Sequence, residues 1–214
     1  GLNEVEFDIY VPVYPSTGLF TTFVSPYAEN FLATEFSVIP IHAAATENAT
    51  LSLYDNGNLV TQVTGTELQY GLQAMGAGNH EVKIVADNGT ETVEDVFTFV
   101  ISPAAVSANP PAGIGNGITY VDDSTVVMSV YAPGKSYIYM VGDFNDWQLD
   151  ANYLMNQSFD GNTFWIELNL EPSQEYGCQY FIDNAIRVPD AYSALILNPH
   201  NDDEIPASTF PGRK

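Results

Sequence analysis

Apolar and polar residues alternate along most of this chain, and the alternation changes direction at turn residues. Ala49-Thr-Leu-Ser-Leu-Tyr54 and Leu59-Val-Thr-Gln-Val63 flank Asp55-Asn-Gly-Asn58. That pattern predicts a hairpin, because Asn-Gly suits a type I′ turn with two positive φ angles. A second pair follows, His80–Ala86 turning at Asn88-Gly89 into Glu91–Ile101. Val82, Ile84 and Ala86 fall on one face of its first strand, with Glu81, Lys83 and Val85 on the other. Further strands are expected at Val126–Tyr131, Tyr137–Val141, Thr163–Leu170 and Tyr176–Ile182, separated by loops at Asn145, Asp160-Gly161 and Pro172. No long stretch carries the 3.6-residue period of a helix. Short strands with regular turn signals predict an all-β chain of two tandem β-sandwiches.

The break between them is Ser102-Pro-Ala-Ala-Val-Ser-Ala-Asn-Pro-Pro-Ala-Gly-Ile-Gly115, uncharged and rich in Pro, Gly and small residues. It reads as an extended linker. The expected division is an Ig-like sandwich at 1–103, a linker at 104–115 and a second sandwich at 116–214. Gly78–Ala86 resembles a late strand of bacterial Ig-like domains.

Charge narrows the function. The 214 residues carry 5 Lys+Arg against 27 Asp+Glu, a net charge of −22. The first 103 residues hold 13 acids and one base, and the rest hold 14 acids and four bases, so the charge belongs to the whole chain. Nucleic acid is excluded as a partner, since phosphate neutralisation needs Lys and Arg. A neutral polysaccharide or a protein remains open. One cysteine, Cys178, permits no intrachain disulfide. No apolar run reaches the 18 residues of a membrane span. The three histidines lack metal-ligand spacing, so no zinc site or other cofactor is expected. Asp202-Asp203-Glu204 and Asp122-Asp123 read as solvated acidic loops.

Residues 126–205 carry the specific signature. Val130-Tyr-Ala-Pro133 precedes Ile138-Tyr-Met-Val-Gly-Asp-Phe-Asn-Asp-Trp147, and Gly161–Leu168, Tyr176–Asp183, Arg187–Ser193 and Ile196–Asp202 follow. This order resembles the glycogen-binding-type, early-set carbohydrate-binding module that precedes the catalytic barrel of many bacterial alpha-amylase-family glycoside hydrolases. The resemblance implies a non-catalytic accessory region, extracellular or at the cell surface, that positions the catalytic domain of the same parent chain. Its partner would be an α-glucan, held weakly if at all. Trp147 and Gln179 are the positions implied for glucan, and Tyr153 is a neighbouring candidate. The family commonly has lysine where Gln179 stands and tryptophan near Ile186, so a structural spacer is the alternative role.

Indole suits the C–H faces of glucose, which makes each tryptophan a candidate platform. Ile138 and Met140 share one apolar strand face; Gly142 permits a sharp exit, leaving Trp147 at a loop edge. In Thr163–Leu170, Phe164, Ile166, Leu168 and Leu170 share a face, which leaves Trp165 among polar residues. Trp165 is therefore expected to make an interdomain contact. No catalytic residues are expected, because a barrel needs more residues and eight helices. Two other readings stay open: an adhesive surface protein, and an accessory module of a carbohydrate esterase.

Overall fold

A computed structural model describes residues 18–193 together with 195 and 196, and every structural statement concerns these residues. His200, the Asp202-Asp203-Glu204 cluster and the segment from 197 onward lie outside them. Thirteen strands form here: β1 Thr21–Ser25, β2 Asn30–Ala33, β3 Val38–Asp55, β4 Asn58–Gln73, β5 Gly78–Asp87, β6 Thr92–Ile101, β7 Gly117–Tyr120, β8 Thr125–Tyr131, β9 Ile138–Gly142, β10 Asn156–Gln157, β11 Thr163–Asn169, β12 Cys178–Ile182 and β13 Ile186–Val188. The only helical turns among them are two 3₁₀ turns, Asp143–Asn145 and Ala151–Tyr153. The chain is all-β, as the alternation predicts.

The described residues divide into two compact units. One gathers 18–28, 39–72 and 81–97. In it β3 is the central strand of a curled sheet, paired with β1, β4 and β5. Ile39, Ile41, Ala43, Ala49, Leu51 and Leu53 are its buried apolar positions, and the odd numbering keeps them on one face. The predicted hairpin forms between β3 and β4, with φ 48 at Asn56 and φ 76 at Gly57. Leu51, Leu53 and Asp55 lie opposite Ala86, Ile84 and Val82 of β5. The first two pairs are apolar and belong to the core predicted for that strand.

The second unit gathers 29–38, 73–80 and the described residues from 98 onward. It contains a four-stranded sheet, β10-β11-β8-β7, and a three-stranded sheet, β13-β12-β9. Their facing sides interdigitate. Val126 and Met128 of β8 and Phe164, Ile166 and Leu168 of β11 meet Ile138 and Met140 of β9 and Tyr180 and Ile182 of β12. Fully burying side chains of this size contributes roughly 1.5–3 kcal/mol each, so this layer holds the second sandwich together.

In the same unit β2 pairs in parallel with the end of β6, Asn30 opposite Thr98 and Leu32 opposite Val100. The predicted linker is bound rather than free. Gln157 N donates to Val106 O at 2.9 Å and Ala108 N donates to Gln157 O at 2.8 Å, so the segment extends β10 by main-chain pairing. Its extended course then ends in a turn, with Ile114 N donating to Pro111 O at 3.2 Å and φ 89 at Gly113.

Candidate functional site

Gly142-Asp-Phe-Asn-Asp-Trp147 leaves β9 and folds back on the residue that precedes β12. Gly142 has φ 178, extended backbone open to any residue, so torsional freedom is not why glycine stands here. The reason is space. A Cβ would collide with the carbonyl oxygen of Gly177 and approach Phe144 Cε1 to 2.8 Å and Cys178 Cβ to 3.0 Å. This close approach lets Asp143 N donate to Gly177 O at 3.0 Å while Gly177 N donates back to Asp143 Oδ2. The other carboxylate oxygen accepts the indole N–H of Trp147 at 2.8 Å. Asn145 closes the turn, its Oδ1 accepting from Gly142 N at 2.9 Å and its Nδ2 donating to Met140 O at 3.1 Å. Asp146 and Trp147 both take left-handed backbone, φ 51 and φ 59. That conformation costs non-glycine residues on the order of 1–2 kcal/mol each, which the surrounding hydrogen bonds offset.

Trp147 is half-buried. A Cβ on Gly177 would lie 3.1 Å from its Cζ2, so that glycine gives the ring its resting surface. The ring also packs against the buried group of Val100, Tyr139, Val141, Leu149 and Phe181. Tyr139 and Val141 lie opposite Phe181 and Gln179, so these four share the outer face of the three-stranded sheet. Gln179 is 7% exposed, and its Oε1 has no hydrogen-bond partner. The face is covered from within the unit by Leu32, Val100, Leu149 and Leu154.

Two asparagines fix that cover. Asn30 Oδ1 accepts from Leu149 N at 2.7 Å, and its Nδ2 donates to Leu149 O at 3.1 Å and to Thr98 Oγ1 at 2.8 Å. Asn79 Oδ1 accepts from Ala151 N at 2.7 Å, and its Nδ2 donates to Asp150 Oδ1 at 2.7 Å. Tyr139 adds a hydroxyl bond to Ser102 Oγ at 2.9 Å. Neither asparagine announces itself in the sequence: each is a short polar residue, and these partners lie at least 68 positions away.

Tyr153 points to the opposite side of β9. Its ring stacks on Phe144 at 5.2 Å, its hydroxyl donates to Phe144 O at 3.3 Å, and it packs against the sandwich core. The structure therefore brings Trp147 and Gln179 to one side of the β9–β12 pair and Tyr153 to the other. Trp165 lies on the outer face of the four-stranded sheet, in a row with Asn156, Ser129 and Gly117. Its indole N–H donates to Ala108 O at 2.7 Å, which fastens the predicted linker to the sheet. Ile186 opens β13 and is 44% exposed, just past a turn at Asp183-Asn184, where φ is 50 and 55.

Cys178 and Tyr180 lie on the other face of β12, toward the sandwich core. Burial pushes the Cys178 thiol up to about 11, with the charges of Asp190 and Asp143 acting in the same direction. Burial, then Asp190, also raises the Tyr180 phenol far above its ordinary range. Asp190 is 3% exposed, and its Oδ1 accepts from Tyr192 N at 3.3 Å. Burial lowers Arg187, whose guanidinium lies over the Phe181 ring at 4.9 Å. Asp122 is held below the usual carboxylate range by hydrogen bonds from the backbone of Ser124 and Thr125, so it caps a turn. Among the described residues no three His, Cys, Asp or Glu side chains gather as a metal site. His80, near the start of β5, stacks on Phe99 at 4.5 Å.

No protein-family model matches the sequence, and no curated protein matches it. Solved structures with a similar fold include the fibronectin(III)-like modules of Clostridium thermocellum CbhA. That likeness has 17% identity and a TM-score of 0.32, over 38% of this chain and 95% of that one. A Group B Streptococcus pullulanase, SAP, is 15% identical with a TM-score of 0.29, over 81% of this chain and 24% of the pullulanase. Bacteroides uniformis beta-glucuronidase 3 is 10% identical with a TM-score of 0.32, over 81% of this chain and 25% of the enzyme. The chain thus spans about a quarter of the length of these two enzymes. At such scores the likenesses assign no family.

Proposed function

We propose that this chain is the non-catalytic accessory region of a secreted bacterial glycoside hydrolase acting on starch or glycogen. Its two compact units hold the neighbouring catalytic domain in place. The reading combines the module-like order of residues 126–205 with the all-β fold. Within it, a spacer is favoured over a glucan binder by one observation: the sheet face carrying Gln179 and Trp147 is already packed. Gln179 is 7% exposed, Trp147 has given its N–H to Asp143, and Leu149 and Val100 lie among the residues closing that face.

Titration calorimetry of the purified chain with maltoheptaose and with β-cyclodextrin, at millimolar ligand, tests the spacer role. No heat of binding is expected. Saturable one-to-one heat would replace spacer by binder and leave the accessory reading intact. Release of reducing sugar from glycogen by the same preparation would overturn the accessory reading itself.

A further inference from the structure

β4 is 16 residues long and pairs only with β3 among the described residues, so one of its edges is open there. Eleven of its 16 positions are exposed and only Leu68 and Leu72 are buried. Leu59 is 56% exposed, Val63 41% and Tyr70 39%. Proteins commonly blunt such an edge with lysines, proline, a bulge or a short strand. β4 has no lysine, arginine or proline, and its single charged residue is Glu67, whose carboxylate lies 3.5 Å from His42 Nε2. In a chain where 15% of residues are charged, the least charged long strand is the one with an open edge.

We propose that β4 is a homodimerisation edge, pairing antiparallel with β4 of a second copy of this chain. Antiparallel self-pairing centred on Gly65 sets Thr64 opposite Thr66, Val60 opposite Tyr70 and Glu67 opposite Val63. A Thr–Thr pair and a β-branched–aromatic pair are among the favourable cross-strand combinations. No two like charges meet at the seam, although each copy carries −22. A two-fold axis through Gly65 makes the contact isologous and closed, so association stops at the dimer. The strand is about 54 Å long at 3.4 Å per residue, and a sheet edge about 10 Å thick covers about 1,000 Å² in both copies together. That area sits at the lower limit for a specific interface, so the dimer is weak and reversible. Its strength rises with salt, because screening reduces the repulsion between two strongly acidic copies.

The test is sedimentation equilibrium of the full 214-residue chain from about 10 μM to 1 mM, at about 0.02 M and 0.5 M salt. A monomer–dimer equilibrium that strengthens at high salt is expected. Gly65→Glu places two carboxylates opposite each other at the axis. It fits the monomer, because a Cβ there has nothing nearer than 4.0 Å, and unchanged far-ultraviolet dichroism checks this. It should raise the dissociation constant at least tenfold. Gln148→Glu adds the same charge elsewhere and should leave the constant unchanged. A chain that stays monomeric at 1 mM and high salt overturns the proposal, as does a dimer that Gly65→Glu leaves intact. Hydrogen exchange supplies the remaining readout. If β4 amides are as protected as those of β3 at every concentration, the edge is covered by the chain's own residues and the proposal fails.

Discussion

Replacing Gly142 by alanine adds one methyl group where three atoms already stand. The nearest is a backbone carbonyl, that of Gly177, which cannot rotate away, and the others are Phe144 Cε1 at 2.8 Å and Cys178 Cβ at 3.0 Å. Real Cβ contacts at such distances do not persist, so β9 and the strand entry at Gly177 must separate. Overpacking alone costs about 1–3 kcal/mol. Separation also lengthens the paired bonds between Asp143 and Gly177, one of them to a carboxylate and worth about 1.5–3 kcal/mol. Relieving the clash and losing the bonds are one movement, so the two figures do not simply add, and about 3 kcal/mol is expected. For a chain of this size that lowers Tm by about 6–12 °C. Both tryptophans lie in the unit that contains this loop, so urea unfolding followed by indole fluorescence reports on the affected unit. Gly115→Ala is the control, because a Cβ there meets nothing within 4 Å and ordinary exposed substitutions stay within about 0.5 kcal/mol. If Gly142→Ala shifts the urea midpoint no more than Gly115→Ala, close approach is not what reserves position 142 for glycine.

Two further outcomes follow from buried groups on the two faces of β12. The Cys178 thiol is raised to about 11 in the fold, whereas an unfolded thiol ionises near about 8.5. The stability this contributes is fully present below the unfolded value and is lost as pH rises toward the folded one, with Tyr180 acting in the same direction further up. The unfolding free energy from urea titrations should therefore fall between about pH 8.5 and about pH 11, by at most about 1.4 kcal/mol per pH unit for one proton, and Cys178→Ala should flatten the lower part of that decline. On the outer face, Gln179→Leu removes a buried amide whose Oε1 is unpartnered. It should be neutral or stabilising by up to about 1 kcal/mol. Gln179→Lys should cost about 3 kcal/mol or more, because an unpaired charge is buried there. A well-tolerated lysine would mean that the face opens in solution.

Local chemistry in the sequence carries most of the strand order. Asn56-Gly57 specifies a turn that few other pairs tolerate, and the period-two burial of Phe164, Ile166 and Leu168 names the face of β11 that meets the core. The aromatic content of the β9 loop also singles out Trp147. Long-range pairing is not written locally. Nothing in Asn30-Phe-Leu-Ala33 says that the strand runs parallel to β6, and nothing in Asn79 says that it holds the backbone of Ala151. A short polar side chain reads alike whether its partner is water or a peptide group 72 residues away. Gly142 shows the same divide. Its place at a strand exit is legible, but the steric reason depends on Gly177, 35 positions on. The linker composition predicts an extended backbone, yet the composition cannot name Gln157 and Trp165 as its partners.

The covered face of the three-stranded sheet can be weighed against what a sugar could offer in exchange. Uncovering Gln179 requires at least Leu149 and Val100 to leave Tyr139, Val141 and Phe181, and side chains of that size forfeit about 1.5–3 kcal/mol each on exposure. The paired bonds between Asn30 and Leu149 would break in the same movement, at about 1 kcal/mol apiece. The total is on the order of 5–8 kcal/mol. Contacts worth about 4 kcal/mol, the equivalent of millimolar affinity, are smaller than this cost, so glucan is expected not to open the face. The loop that resembles a sugar-binding signature spends its aspartate, asparagine and indole on closing the sandwich.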